Sequence, residues 1–237
     1  LGRPDRAYRS IHIAGTKGKG STAAMIESCL RSAGYRTGFY TSPHLHTFRE
    51  RMRVHNDYIG REEFGRLVDE LEPHLNAVEG VTWFEVVTTL AFMFFARAQI
   101  DVAVLEVGLG GRFDATNVVT PIVSVITSLS LDHTNLLGNT IEQIAFEKAG
   151  VIKPHVPVVS APQVPEALDV IRRVARMRGA KLIALQPPTP SPETEPHNSE
   201  EGTRAFSPLL TTPIPLSGEG LGVRLPLLGA HQQLNAR

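Results

Sequence analysis

The stretch Ile11-His12-Ile13-Ala14-Gly15-Thr16-Lys17-Gly18-Lys19-Gly20-Ser21 decides how this chain folds. Ile11 to Ala14 is short and apolar, as a buried strand is, and glycines follow at once. From Ser21 to Ala33 the pattern turns helical. Ser21 or Thr22 offers a cap, Ala23, Met25, Ile26 and Leu30 form a packing face, and Gly34 stops the run. A Gly-rich turn between strand and helix is what a phosphate loop needs. Successive N–H groups can converge on one anion, and the helix N-terminus adds partial positive charge. Gly15, Thr16, Lys17, Gly18, Lys19, Gly20 and Ser21 are therefore the candidate nucleotide cradle, with Lys19 reaching the outer phosphates. The loop departs from G-x-x-x-x-G-K-[ST]: Ile13 stands five residues before Gly18, and Gly20 follows Lys19. No Asn-Lys-x-Asp segment, which would read guanine, occurs.

Outward from this loop, strand-like and helix-like segments alternate. Strands are expected at Arg36–Thr41, Asp101–Val107, Ile122–Thr127, Pro157–Ala161 and Lys181–Leu185. Helices are expected at Arg61–Leu75, Phe84–Ala98, Thr140–Ala149 and Pro165–Arg178. Asp-Val-Ala-Val-Leu-Glu-Val and Ile-Val-Ser-Val-Ile-Thr read as central strands, apolar on both faces. This alternation predicts an α/β fold, a mostly parallel sheet flanked by helices. From Pro187 to Pro215 the texture changes: 8 of the 17 prolines fall there, among Ser, Thr and Glu, which marks a flexible insertion. Leu221 to Leu228 then resumes a strand pattern, so residues 1–237 read as one domain interrupted by that insertion.

The composition limits the function. Twenty-four basic and 24 acidic residues balance among 237, so a generic polyanion binder is a poor fit and no nucleic-acid partner is expected. The single cysteine, Cys29, cannot form an internal disulfide, which suits the cytoplasm. The longest uncharged stretch, Ala115 to Leu131, contains Asn117 and Pro121 and is too polar to span a bilayer; no signal peptide opens the chain. The chain opens without Met and stops just after a strand-like segment, and so reads as a fragment of a longer protein.

Three further segments carry chemistry at strand ends. Glu106 closes one predicted central strand and precedes Gly108-Leu109-Gly110-Gly111-Arg112-Phe113-Asp114-Ala115-Thr116-Asn117. Ligands in open α/β sheets collect at that edge, and a carboxylate there can hold magnesium beside phosphates. Asp132-His133 follows the next strand, and a neutral imidazole can bind a metal. Thr41-Ser42-Pro43-His44-Leu45 places a hydroxyl after the second strand.

Together these segments, with Phe84-Glu85, Glu147-Lys148-Ala149-Gly150 and Gly229-Ala230-His231-Gln232-Gln233-Leu234-Asn235-Ala236, resemble the folylpolyglutamate synthase and dihydrofolate synthase family, within the wider Mur-type amide ligases. The ordered set covers nearly the whole chain except the Pro-rich insertion. The resemblance implies a P-loop NTPase-like Mur ligase central domain without its C-terminal ligase domain. It also implies an ATP-dependent ligase that activates a carboxylate as an acyl phosphate for attack by the amine of L-glutamate. The molecule that supplies this carboxylate and receives the glutamate would be dihydropteroate, a (tetrahydro)folate, or both, which places the protein in folate biosynthesis and one-carbon metabolism.

By match of motif, Ser42 and Glu106 are ligands of a first magnesium ion, and His133 of a second. Lys148 matches the lysine that is carbamylated in the family; from the sequence alone it reads as a solvated surface charge. Thr82, Phe84, Asp114 and Ala115 match positions lining the pterin pocket, and Gln232 and Asn235 match the adenine side. Lys17 stands where family members often carry Asn. The full-length protein is expected to be monomeric, and this fragment inactive on its own. Two alternatives stand beside this reading: a Mur-type ligase acting on a cell-wall nucleotide precursor, and a non-catalytic P-loop nucleotide-binding module.

Overall fold

A computed structural model describes residues 1–187. The Pro-rich stretch from 188 onward, the strand pattern at Leu221–Leu228, and Gln232 and Asn235 lie outside the described residues.

Eight strands form one sheet: β1 (Arg9–Ala14), β2 (Thr37–Tyr40), β3 (Met52–Val54), β4 (Asp57–Tyr58), β5 (Val102–Glu106), β6 (Val123–Ile126), β7 (Val158–Ser160) and β8 (Leu182–Ala184). The spatial order is β4-β3-β2-β5-β1-β6-β7-β8. Pairings from β2 through β8 are parallel, and the β3–β4 hairpin joins the β2 edge antiparallel. The helices are α1 (Lys19–Ser32), α2 (Arg61–Leu75), α3 (Trp83–Arg97), α4 (Thr134–Leu137), α5 (Ile141–Lys148) and α6 (Pro165–Met177). Among the described residues, no helix is long and apolar enough to cross a membrane.

Side-chain alternation explains the layering. On one face of the sheet Ile11, Ile13, Phe39, Val102 and Val104 bury against Ala23, Ile26 and Leu30 of α1. On the opposite face Tyr40, Ala103 and Leu105 pack with Leu67 of α2 and Leu90, Ala91 and Phe95 of α3. Further along that face Ala14, Ile126 and Val158 pack with Ala145 of α5 and Ile171 of α6. β5 is buried throughout, as expected of a central strand, whereas β6 alternates: Ser124 and Ile126 are buried, Val123 and Val125 only half so.

Two expectations need correction. α1 begins at Lys19 rather than Ser21, because Gly18 takes a left-handed φ of 83° and serves as the N-cap with no side-chain bond. Neither Ser21 nor Thr22 caps the helix; Thr22 is buried and its hydroxyl has no partner among the described residues. The β3–β4 hairpin had no counterpart in the sequence reading. Its turn residues His55 and Asn56 both adopt positive φ, 52° and 74°, without a glycine to mark them.

Register sets the level of the site. Tyr40 pairs with Leu105, Leu105 with His12, and His12 with Ser124, so the C-terminal ends of β2, β5, β1 and β6 stand side by side. The four chemistry-bearing segments leave the sheet from these four adjacent ends.

Candidate active site

A cleft of about 800 Å³ opens over those strand ends. Its lining includes Lys19, Ser42, Thr82, Phe84, Asp114, Ala115 and His133, so residues read from five separate segments share one space. Glu106, 5% exposed, lies behind the lining residue Ser42, and its Oε2 accepts the Ser42 amide at 3.1 Å. A Cβ added at Gly20 would sit 3.4 Å from both Glu106 carboxylate oxygens. The acid from β5 thus lies directly against the position after Lys19, where a phosphate loop ordinarily carries Ser or Thr. Burial pushes the Glu106 carboxyl above its ordinary value; the Ser42 amide, Lys19 and Arg51 act in the other direction.

The cradle is narrower than its sequence suggests. The Thr16 and Lys17 amides donate to the Ser128 carbonyl at 3.0 and 3.3 Å, and the Thr16 hydroxyl donates to the Ser130 carbonyl at 3.1 Å. These residues brace the loop against the segment after β6 instead of turning their N–H groups to an anion. The donors left over begin at the first turn of α1, which helix geometry leaves unpaired.

Lys148 is not a solvated surface charge. It is 4% exposed, and its Nζ donates to the Gly15 carbonyl at 2.9 Å. Burial, with Lys19 nearby, lowers its pKa to about 8; Asp132 and Asp114 oppose the shift. His133 is different. It starts the four-residue α4 with φ at 48°, its side chain is 57% exposed, and its Nε2 lies 3.8 Å from Asp132 Oδ2. Among the described residues there is no cluster of three or more His, Cys, Asp or Glu side chains able to hold a metal alone. Glu106, bonded to the Ser42 amide, instead sets a carboxylate next to an anion loop, and Ser42 adds a hydroxyl at the cleft lining. That suits magnesium, which keeps waters and shares its shell with phosphate oxygens.

The acids of the cleft wall are already engaged. Glu85 accepts from the Thr82 amide at 2.8 Å and the Thr82 hydroxyl at 2.7 Å, while the Glu85 amide donates back to that hydroxyl at 3.2 Å. Thr82 is thus the capping-box residue of α3 as well as a lining residue. Asp114 Oδ2 accepts from the Gly108 and Leu109 amides at 3.0 and 2.9 Å, so its carboxylate shapes the loop rather than standing free for a ligand. Phe84 packs on the core yet forms a wall: a Cβ at Gly108 would fall 2.4 Å from its ring. Glu147 lies 3.6 Å from Arg112.

Sequence reasoning missed Arg51. It lines the cleft, is 6% exposed, donates to His44 Nδ1 at 2.9 Å and lies 4.8 Å over the Trp83 ring. Among the described residues it has no carboxylate partner within salt-bridge distance. The Glu50-Arg51 pair downstream of Pro43 was the available signal. Lys19 and Arg51 both act on the buried Glu106 carboxylate, and Lys148 lies near Lys19 behind the loop, a cationic environment suited to a polyanion with a divalent cation.

Residues 13–237 match the family described as the Mur ligase middle domain. The chain is 49% identical over 191 residues to the dihydrofolate synthase/folylpolyglutamate synthase of Bacillus subtilis, covering 78% of this chain and 44% of that protein. The folylpolyglutamate synthase structure from Thermotoga maritima superposes with a TM-score of 0.72 at 47% identity, over 78% of this chain and 43% of that one. The Mycobacterium tuberculosis folylpolyglutamate synthase, complexed with ADP, superposes with a TM-score of 0.73 at 41% identity, over 77% and 43%. The chain therefore spans somewhat under half the length of these relatives.

Proposed function

The chain belongs to the Mur ligase middle domain family, and from that premise we propose that its full-length protein is an ATP-dependent amide ligase. It adds L-glutamate to dihydropteroate, to (tetrahydro)folate, or to both. One observation carries this reading: an anion loop and an aromatic-walled pocket open into a single cleft, with a buried strand-end acid bonded to the lining residue Ser42.

Gly18 to Ser21 and Lys19 receive the triphosphate at the start of α1. Ser42 and Glu106 would hold one magnesium ion against it, and His133 with Lys148 a second. When bound, these ions offset the repulsion between an approaching carboxylate and the phosphates. The lowered pKa of Lys148 leaves an appreciable neutral fraction near pH 8, the form that can take up carbon dioxide and become a carbamate anion. Phe84, Thr82, Ala115 and the Gly108–Leu109 backbone would hold the flat heterocycle of the carboxylate substrate. Its carboxylate end then takes the outer phosphoryl group with release of ADP, and the glutamate amine attacks the resulting acyl phosphate, forming the amide and expelling phosphate.

The test is an assay of the full-length protein with ATP, glutamate and either dihydropteroate or tetrahydrofolate. ADP and phosphate release requiring both glutamate and one of these acceptors is the expected result. ATP turnover with neither acceptor would overturn the proposal. A signal from carbon-13-labelled bicarbonate, absent in Lys148→Arg, tests the carbamate separately.

A further inference from the structure

β1 places a histidine in the middle of the sheet. His12 is fully buried between β5 and β6, far from solvent and outside the cleft lining. Its Nε2 lies 2.8 Å from Thr116 Oγ1. The Thr116 hydroxyl bonds in turn to Asp114 Oδ1. A carboxylate only accepts, so Thr116 spends its one hydroxyl proton on Asp114. The His12 bond must then use an Nε2–H, with Thr116 as acceptor. That leaves Nδ1 bare, and Nδ1 indeed has no partner among the described residues. Burial, aided by Lys153, lowers the His12 pKa to about 3, so the ring is neutral.

The chain of bonds continues to the cleft. Asp114 Oδ1 also accepts the Thr116 amide at 3.0 Å, and Oδ2 holds the Gly108 and Leu109 amides. Those two residues form the wall facing Phe84. We propose that His12 is a positioning residue. Its Nε2–H orients the Thr116 hydroxyl, which orients the Asp114 carboxylate, which fixes the Gly108–Leu109 wall where the carboxylate substrate rests. The directional run of donors ties the wall to a buried strand paired on both sides, and each bond polarises the next. The choice of ligand rests on the function proposed above; the mechanical link does not.

The test uses the full-length protein. Thr116→Val removes the hydroxyl at nearly constant volume, Thr116→Ser restores it, and His12→Phe removes the ring donor. Amide exchange of residues 107–117 is followed beside that of β1 and α1. Exchange at Gly108 and Leu109 should rise roughly tenfold or more in Thr116→Val, the scale of one buried bond. β1 and α1 should stay protected, and Thr116→Ser should return to wild type. In the glutamate-addition assay the KM for dihydropteroate or tetrahydrofolate should rise about tenfold, with the KM for ATP and kcat little changed. Unchanged exchange at Gly108 and Leu109 would overturn the proposal, as would an equal rise in every strand. If neither acceptor is a substrate, the function proposed above fails while the exchange arm still decides the link. Should His12→Phe not fold, the two Thr116 variants decide it alone.

Discussion

The Lys148 ammonium donates to the Gly15 carbonyl at 2.9 Å, joining the last residue of α5 to the first of the anion loop. This puts a buried amine directly behind the nucleotide cradle. Its lowered pKa, about 8 against an ordinary 10.5, has a defined sign. Between those values the unfolded chain binds the proton more readily, so the folded state gains as pH rises through that window. Below pH 8 the buried charge is a constant cost. Relative to Lys148→Met, the wild-type unfolding free energy should climb between pH 8 and 10.5, by at most about 1.4 kcal/mol per pH unit. Denaturant titrations across that range read it; parallel curves would refute the assignment.

Glu106 carries the opposite kind of strain. Burial raises its carboxyl pKa, so its contribution to stability falls as pH passes upward from the ordinary value to the raised one, and at neutral pH the ionised form is a net cost. Glu106→Gln keeps an acceptor for the Ser42 amide and removes the charge. Its melting temperature without divalent cations should rise, by about 1 kcal/mol in stability. Magnesium-dependent binding of an ATP analogue should weaken at least about tenfold in calorimetric titration, because a direct carboxylate ligand is gone. A variant that is less stable but binds normally would contradict both halves.

Gly108→Ala should close the pocket from inside. The new methyl would lie 2.4 Å from Phe84 Cζ, forcing the ring or the loop to move. Overpacking of this kind costs about 1–3 kcal/mol. Thermal melts should show that loss, with binding of dihydropteroate or tetrahydrofolate lost and nucleotide binding kept. Wild-type affinity for both would disprove the wall assigned to these two residues.

Glu50 gathers the Leu45, His46 and Thr47 amides at 2.8, 2.9 and 2.8 Å. These bonds hold its pKa down to about 2. The constraint on the loop after Ser42 is complete above the ordinary carboxylate value of 4.5 and is lost as pH falls toward 2. Amide exchange at Leu45 to Thr47 should accelerate in Glu50→Gln at neutral pH, and in wild type only under strongly acidic conditions. Equal protection in the two proteins would sink this account.

Much of the fold was legible because periodicity and punctuation agreed. The helix expected at Arg61–Leu75 forms over those residues, and the expected α3, β5, β6 and β7 each lie within one residue of the observed ends. What escaped was conformational. Gly18 starts α1 through a left-handed φ that composition does not reveal, and the His55–Asn56 turn lacks the usual glycine. In the site, Lys19, Ser42 and Glu106 were found because strand ends bring them to one edge of the sheet. The internal engagement of Asp114 and the burial of Lys148 were not, since both depend on partners distant in space or on which way a carboxylate turns. Arg51 escaped for the same reason: its cleft position is set by how the β2–β3 connection folds back.

The sheet order has a consequence for biosynthesis. β1 emerges early from the ribosome, yet Ile11 pairs with Val104 on one side and Val123 on the other. Until residues through Glu106 have been translated and released, the nascent polypeptide holds the turn after β1 without either neighbouring strand, and until Ile126 follows it still lacks one of the two. Such long-separated pairings assemble slowly. Chaperone engagement during synthesis should therefore concentrate on the window before β6 leaves the exit tunnel.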